Sequence, residues 1–307
     1  MSLLRVGNRV LQIRIAESAP RSLRRFLAQL ACAELPTTPT RQIMQVRGGH
    51  RTRLTVDVGK GEVLLELAAD LAGDPATLEI GVLQAAARSM AVMGDGEPAL
   101  LHGSAVTADG GRSAIAVLDG GRGQGKTSLA LGVAARKGSL LVDEFAFTVF
   151  PGGQPCVVPM PNLPWHVRAD MAPLLVPNAT ERLLYPMDLP APTVNRHRPL
   201  PLSLIVVPDH SLAPGELLQT PALAARDLLR AAVNDHEAKL RDPARDHVSI
   251  FSSADDVTIS SSLPAFNPGE KTLDALAAVP VIRVGIGKPD DLTTSVTSVI
   301  RRIGQAS

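Results

Sequence analysis

Three observations predict an α/β fold of mixed sheet and helices, built round a phosphate-binding loop and preceded by a smaller α+β N-terminal domain. The stretch VLDGGRGQGKTSLALG, Val117 to Gly132, places a glycine-rich loop between an apolar strand and a helix. The run SLLVDE follows that helix at once and ends on two acids, Asp143 and Glu144. Ahead of both, residues 1–95 mix strand-like and helix-like patterning and carry no comparable motif.

Taken in order, RVLQIRI, HRTRLTVDVG and GEVLLELAADL have the alternating or apolar runs of strands, with APRSLRRFLAQLACAEL as a helix before the second of them. DPATLEIGVLQAAARSMAVMG offers Asp74 as an N-cap, Pro75 at the first helical position and apolar residues at helical spacing through Met93. The domain boundary falls in GDGEP, Gly94 to Pro98, giving an N-terminal domain over 1–95 and a second domain over 96–307. LLHGSAVTADGGRSAIAVLDG then reads as a hairpin turning at Asp109 to Arg112. The loop leads into a helix of about eleven residues that ends at Arg136, Lys137 and Gly138, basic residues and a glycine being a normal C-terminal signal. Pro151 to Pro201 is proline-rich and aperiodic, hence long loops with short elements. PLSLIVVPD is a buried strand, TPALAARDLLRAAVNDHEAKL a helix, PVIRVGIG a strand and PDDLTTSVTSVIRRIG a closing helix.

Composition narrows the function classes. With 45% hydrophobic and 20% charged residues, the 307-residue chain has the make-up of a globular protein. A formal net charge of +1, no Lys/Arg-rich block and 3% aromatics argue against a nucleic-acid partner, which needs a basic face or stacking platforms. Cys32 and Cys156 have neither disulfide-framework nor zinc spacing. Arg5, Arg9 and Arg14 interrupt any signal-peptide core, and no apolar run reaches membrane-spanning length, so a soluble, cytoplasmic protein is expected.

The loop satisfies G-x-x-x-x-G-K-[ST] with Gly120, Gly125, Lys126 and Thr127. Gly120, Gly121, Arg122, Gly123, Gln124, Gly125, Lys126, Thr127 and Ser128 are expected to line a nucleotide's phosphates, because glycines let backbone N–H groups converge at a helix N-terminus. Lys126 then neutralises β/γ charge and Thr127 ligates magnesium. Asp143 and Glu144 are expected to face that metal and the terminal phosphate. Strand alternation allows only one of the pair to point at the phosphates, and Asp143 is the expected proton acceptor. If Ala108 opposes Ser113 in the hairpin, His102 lies opposite Asp119, at the mouth of the loop. Arg168, Arg182, Arg196 and Arg198 are candidate cations for the transferred group. Trp165 and His166 either line an acceptor pocket or are a buried Trp beside a surface His.

The succession LLHGSAV, GGRGQGKTSLAL and GSLLVDEFAF resembles the HPr kinase/phosphorylase family and its wider set of small HPr-kinase-like kinases, which share a nucleotide-binding core with phosphoenolpyruvate carboxykinase. The likeness runs more loosely through PNLPWHVRAD, ERLLYP and PLSLIVVPD to VPVIRVGIG, spanning 96–307. It implies an ATP- and magnesium-dependent kinase in which His102, Lys126 and Asp143 serve phosphoryl transfer to a hydroxyl of a small molecule or peptide. Thr127, Asp143 and Glu144 are then the metal ligands. Arg182 is preferred among the cations because it matches a basic residue of related kinases. The family's acidic pair is usually Asp-Asp, whereas Asp143-Glu144 stands here, and its downstream glycine- and asparagine-containing signature is missing, so the protein HPr is not implied as substrate. The alternatives are a nucleotide-gated regulatory module that transfers nothing, a protein serine kinase with an HPr-like partner, and a carboxykinase, which is normally much larger. The acceptor is left unnamed, and the oligomeric state, with a homo-oligomer among the options, is left open.

Overall fold

A computed structural model describes residues 2–6, 9–20, 23, 26–27, 40–73, 75–93, 99–107, 109–118, 125–160, 163–167, 183–184, 189, 191–193, 198–242, 250–260 and 269–306. The fold is mixed α/β. Strands β1 (Ser2–Val6), β2 (Arg9–Ile15), β3 (Thr40–Gly49), β4 (Arg53–Asp57) and β5 (Glu62–Ala68) precede helix α1 (Pro75–Val92). Next come β6 (Ala99–Thr107), β7 (Ala114–Leu118), α2 (Lys126–Lys137), β8 (Ser139–Val142), β9 (Phe145–Val149), β10 (Cys156–Val157), β11 (Trp165–His166) and β12 (Leu183–Leu184). The rest is β13 (Leu200–Asp209), β14 (Leu217–Gln219), α3 (Ala222–Arg241), β15 (Val257–Ile259), α4 (Glu270–Ala277), β16 (Val281–Gly285) and α5 (Leu292–Ala306). No helix among the described residues is long and apolar enough to cross a membrane.

The chain divides into two compact units, 1–100 with 234–267 and 101–233 with 268–307. The first is built on a six-stranded sheet in the order β1-β2-β3-β5-β4-β15. Alternate residues Leu11 and Ile13, Met44 and Val46, Leu54 and Val56, and Leu65 and Leu67 are buried, as a sheet with one core face requires. An unbroken second domain over 96–307 is therefore corrected. Residues 234–267 belong with the first unit, because β15 adds to its sheet edge parallel to β4 and Arg51 is ion-paired to Asp256. The expected helix over 19–35 lies mostly outside the described residues, although Leu23, Phe26 and Leu27 are helical and buried. Asp74 and the GDGEP segment also lie outside them.

The second unit's sheet runs β10-β9-β6-β7-β13-β16-β14, with β8 also paired to β6. β6 and β7 are buried at every residue, which explains their near-continuous apolar runs. The hairpin register is the expected one: Gly103 faces Leu118 and Val106 faces Ile115. Its turn is closed by Asp109, whose Oδ1 accepts the Arg112 and Ser113 N–H groups at 3.0 Å, with Gly110 and Gly111 at positive φ. Ala108 and Asp119 lie outside the described residues, so the last rungs of the ladder are not described. On this sheet α2 packs with α5 through a core that includes Val106, Val117, Leu129, Trp165, Val206, Val296 and Val299.

One topological fact positions the site. β7 and β8 both run antiparallel to β6. The C-terminal ends of β7 and β8 therefore lie at the same end of the sheet as the start of β6, and α2 is the crossover between them. The crossover ends at Gly138, whose N–H reaches Ala134 O at 3.0 Å and where an added Cβ would stand 1.7 Å from the Thr107 carbonyl oxygen. Because the clashing atom is backbone, Gly138→Ala must push α2 off β6. It is expected to cost about 1–3 kcal/mol, the range for overpacking, read as a lowered midpoint in urea unfolding.

Candidate active site

Lys126 opens α2, immediately after Gly125 at φ 84°, a left-handed conformation that suits glycine. Gly125, as the N-cap residue, has no side chain with which to cap this helix start. The first-turn N–H groups are of the kind that accept an anion. The Lys126 ammonium is ion-paired to Glu144 Oε1 and lies 3.9 Å from Asp143 Oδ1. Glu144 Oε2 is 3.0 Å from His102 Nε2. Asp143, 1% exposed, receives donors from three elements. The Ser104 hydroxyl of β6 donates to Oδ1, the Thr127 hydroxyl of α2 lies 3.2 Å from Oδ1, and the His166 N–H of β11 donates to Oδ2 at 2.8 Å.

The structure thus brings together His102, Lys126, Thr127, Asp143 and Glu144 from the expected set. Strand alternation between Asp143 and Glu144 is overturned. β8 ends at Val142, the two acids form a bend, and Glu144 takes φ 64°. A left-handed residue turns its side chain back toward the side its predecessor faces, so both carboxylates address Lys126. For a non-glycine residue that conformation costs about 1–2 kcal/mol, and such strain collects where function demands it. Gly120, Gly121, Arg122, Gly123 and Gln124, together with Arg168, Arg182 and Arg196, lie outside the described residues. Arg198 is exposed. Ser128, in the first turn, is buried. Trp165 is buried in the core, and β11 contributes to the site through the His166 backbone. Sequence reasoning missed Ser104 and that N–H. Ser104 was detectable in principle, because residues i and i+2 of a strand share a face and His102 was already placed on this one.

The two acids are driven apart electrostatically. Burial pushes the Asp143 carboxyl up from its ordinary value, and the neighbouring Glu144 charge adds to the rise, while Lys126, Ser104 and the His166 N–H hold it back. Burial also raises Glu144, but there the Lys126 charge and His102 outweigh it and hold the carboxyl well below the ordinary range. Among the described residues no group of three or more His, Cys, Asp or Glu forms a metal cage. The donors at hand are a hydroxyl and two carboxylates. They suit magnesium, which keeps waters and takes one or two carboxylates plus substrate phosphates. No protein-family model matches the chain, and neither does any curated protein.

Because Glu144 is depressed, its stabilising contribution is complete above the ordinary glutamate value of 4.5 and is lost as pH falls through its lower value in the folded protein. Glu144→Gln should cost about 1.5–3 kcal/mol at pH 7, the range for hydrogen bonds to charged groups. The gap between the variant and the parent should close as acid is added below pH 4.5. Denaturant unfolding at a series of pH values measures it, and a gap independent of pH would contradict the assignment.

Proposed function

We propose that this chain is an ATP-dependent phosphotransferase that passes the γ-phosphoryl group to a hydroxyl of a small molecule or peptide. The observation that carries this reading is the placement of Lys126 and Thr127, at a helix start that follows a glycine, against two carboxylates of opposite electrostatic tendency. Pairs of titratable groups pushed apart by their surroundings mark acid/base assignments. The likeness to HPr-kinase-like enzymes points the same way and supplies the expected core, a phosphate loop in a mixed sheet.

The roles follow from what each side chain does in place. Lys126 carries the positive charge that a nucleotide's β- and γ-phosphates need, and it would exchange part of its Glu144 contact for them. Thr127 donates a hydrogen bond to Asp143 and keeps its oxygen lone pairs for magnesium, with Glu144 as the carboxylate held ionised at neutral pH. Magnesium, when held by Thr127 and the carboxylates, would neutralise the charge of the β- and γ-phosphates. His102 holds Glu144 in its turned conformation. Asp143, the more basic of the two acids, takes the acceptor's proton as the new O–P bond forms and the bond to the departing ADP breaks. Arg182 remains the proposed cation for the transferred group.

The test is incubation with ATP, magnesium and a pool of hydroxyl-bearing metabolites and peptides, read by mass spectrometry for a gain of phosphate. Lys126→Ala should abolish turnover and weaken ATP binding in calorimetry, and Thr127→Ala should raise the magnesium requirement. Asp143→Asn should keep ATP binding while transfer falls about 10²–10⁴-fold. The amide can present its oxygen to the His166 N–H, because the Ser104 and Thr127 hydroxyls can turn to accept from its NH₂. A chain that binds ATP yet phosphorylates nothing, and is indifferent to Asp143→Asn, would be a nucleotide-gated module instead.

A further inference from the structure

Ser104 sits in the middle of β6, 0% exposed, in the apolar run ALLHGSAVT. A buried hydroxyl is costly unless it is hydrogen-bonded, so a serine here calls for a reason. Its described partner is Asp143 Oδ1. Two strand positions earlier on the same face, His102 meets Glu144, so β6 presents one group to each of the two acids. Thr107 is a useful contrast. It lies on the same strand, is equally buried, and its Oγ1 has no hydrogen-bond partner among the described residues.

Lone-pair counting shows what the Ser104 contact does. A carboxylate oxygen has two acceptor positions. On Oδ1 both are taken, by the Ser104 and Thr127 hydroxyls. On Oδ2 the His166 N–H takes one, and Thr127 reaches this atom only at 3.5 Å. The carboxylate plane is thereby held from three sides by β6, α2 and β11, and the remaining acceptor position is on Oδ2. Without Ser104 the described hydrogen bonding of Oδ1 would fall to Thr127, whose oxygen is also claimed by the metal in the proposed reaction, with the Lys126 ammonium 3.9 Å away, and the carboxylate could swing about its last torsion.

We propose that Ser104 is a positioning residue for phosphoryl transfer: it donates to Asp143 Oδ1 and so reserves Oδ2 for the acceptor's proton. The assignment rests on the phosphotransferase reading and adds to it a residue that touches neither nucleotide nor acceptor. Misplacing a reacting group by about 1 Å can cost about 10²-fold in rate, which sets the size of the effect.

The experiment measures ADP formation from ATP and magnesium in the presence of the pool of hydroxyl-bearing metabolites and peptides, with calorimetric nucleotide affinity beside it. It compares the parent, Ser104→Ala, Asp143→Asn, the double variant and Thr107→Val. Ser104→Ala should lower kcat by about 10²-fold while the KM for ATP and the calorimetric affinity stay within about twofold. In the Asp143→Asn background the same change should have little further effect, because the serine acts through that carboxylate. Thr107→Val should be indistinguishable from the parent. If Ser104→Ala does not yield folded protein, Ser104→Cys keeps the shape with a slightly larger atom and weakens the donor, and it should show the same fall in kcat at unchanged affinity. An unchanged kcat, equal losses in kcat and affinity, or full additivity with Asp143→Asn would each overturn the positioning role and leave the phosphotransferase reading standing. A parent that forms no ADP would overturn that reading, and this assignment with it.

Discussion

The arrangement of the second unit follows from the burial of one charged group. A carboxylate withdrawn from water loses several kcal/mol of hydration, and it survives ionised only where cations and donors replace the water. Asp143 meets that demand with Lys126, Ser104, Thr127 and the His166 N–H, drawn from three separate elements. The demand is met incompletely, since burial still raises the carboxyl above its ordinary value. That residual is what leaves Asp143 basic. The same low-dielectric surroundings strengthen the Lys126–Glu144–His102 chain beside it, so one acid is kept charged and the other is kept poised.

Much of the second unit was legible in the sequence because its key relations are local. The strand before the loop, the helix after it and the hairpin before them involve neighbours in sequence, and the register from Gly103–Leu118 to Val106–Ile115 follows from counting outward from the turn at Asp109 to Arg112. His102 and the acidic pair could therefore be brought to one end of the sheet without coordinates. The backbone of the acidic pair could not. Whether Asp143 and Glu144 continue β8 or leave it depends on the buried charges around them, and Glu144 at positive φ breaks the period of two on which the choice between them relied.

The first unit was less legible, for a reason of topology. Its strands β2, β3 and β5 pair in parallel, and β15 joins the sheet from far along the chain. Parallel and distant pairings leave no turn signature, so β3 passed unnoticed and residues 234–267 read as a continuation of the second domain. The apolar patterning was present in both cases; what it lacked was an address.

Helix α2 also acts as a gauge. It begins at the left-handed Gly125 and ends at Gly138, which lies so close to the Thr107 carbonyl that this end has no room to slide. Twelve residues at about 1.5 Å each make a rod of about 18 Å between those glycines. Side chains along its outer face can change freely, but one residue added or lost would rotate everything beyond it by about 100° and carry the acids away from the lysine. Diversity among proteins sharing this arrangement should therefore accumulate as substitutions within the rod rather than as changes in its length.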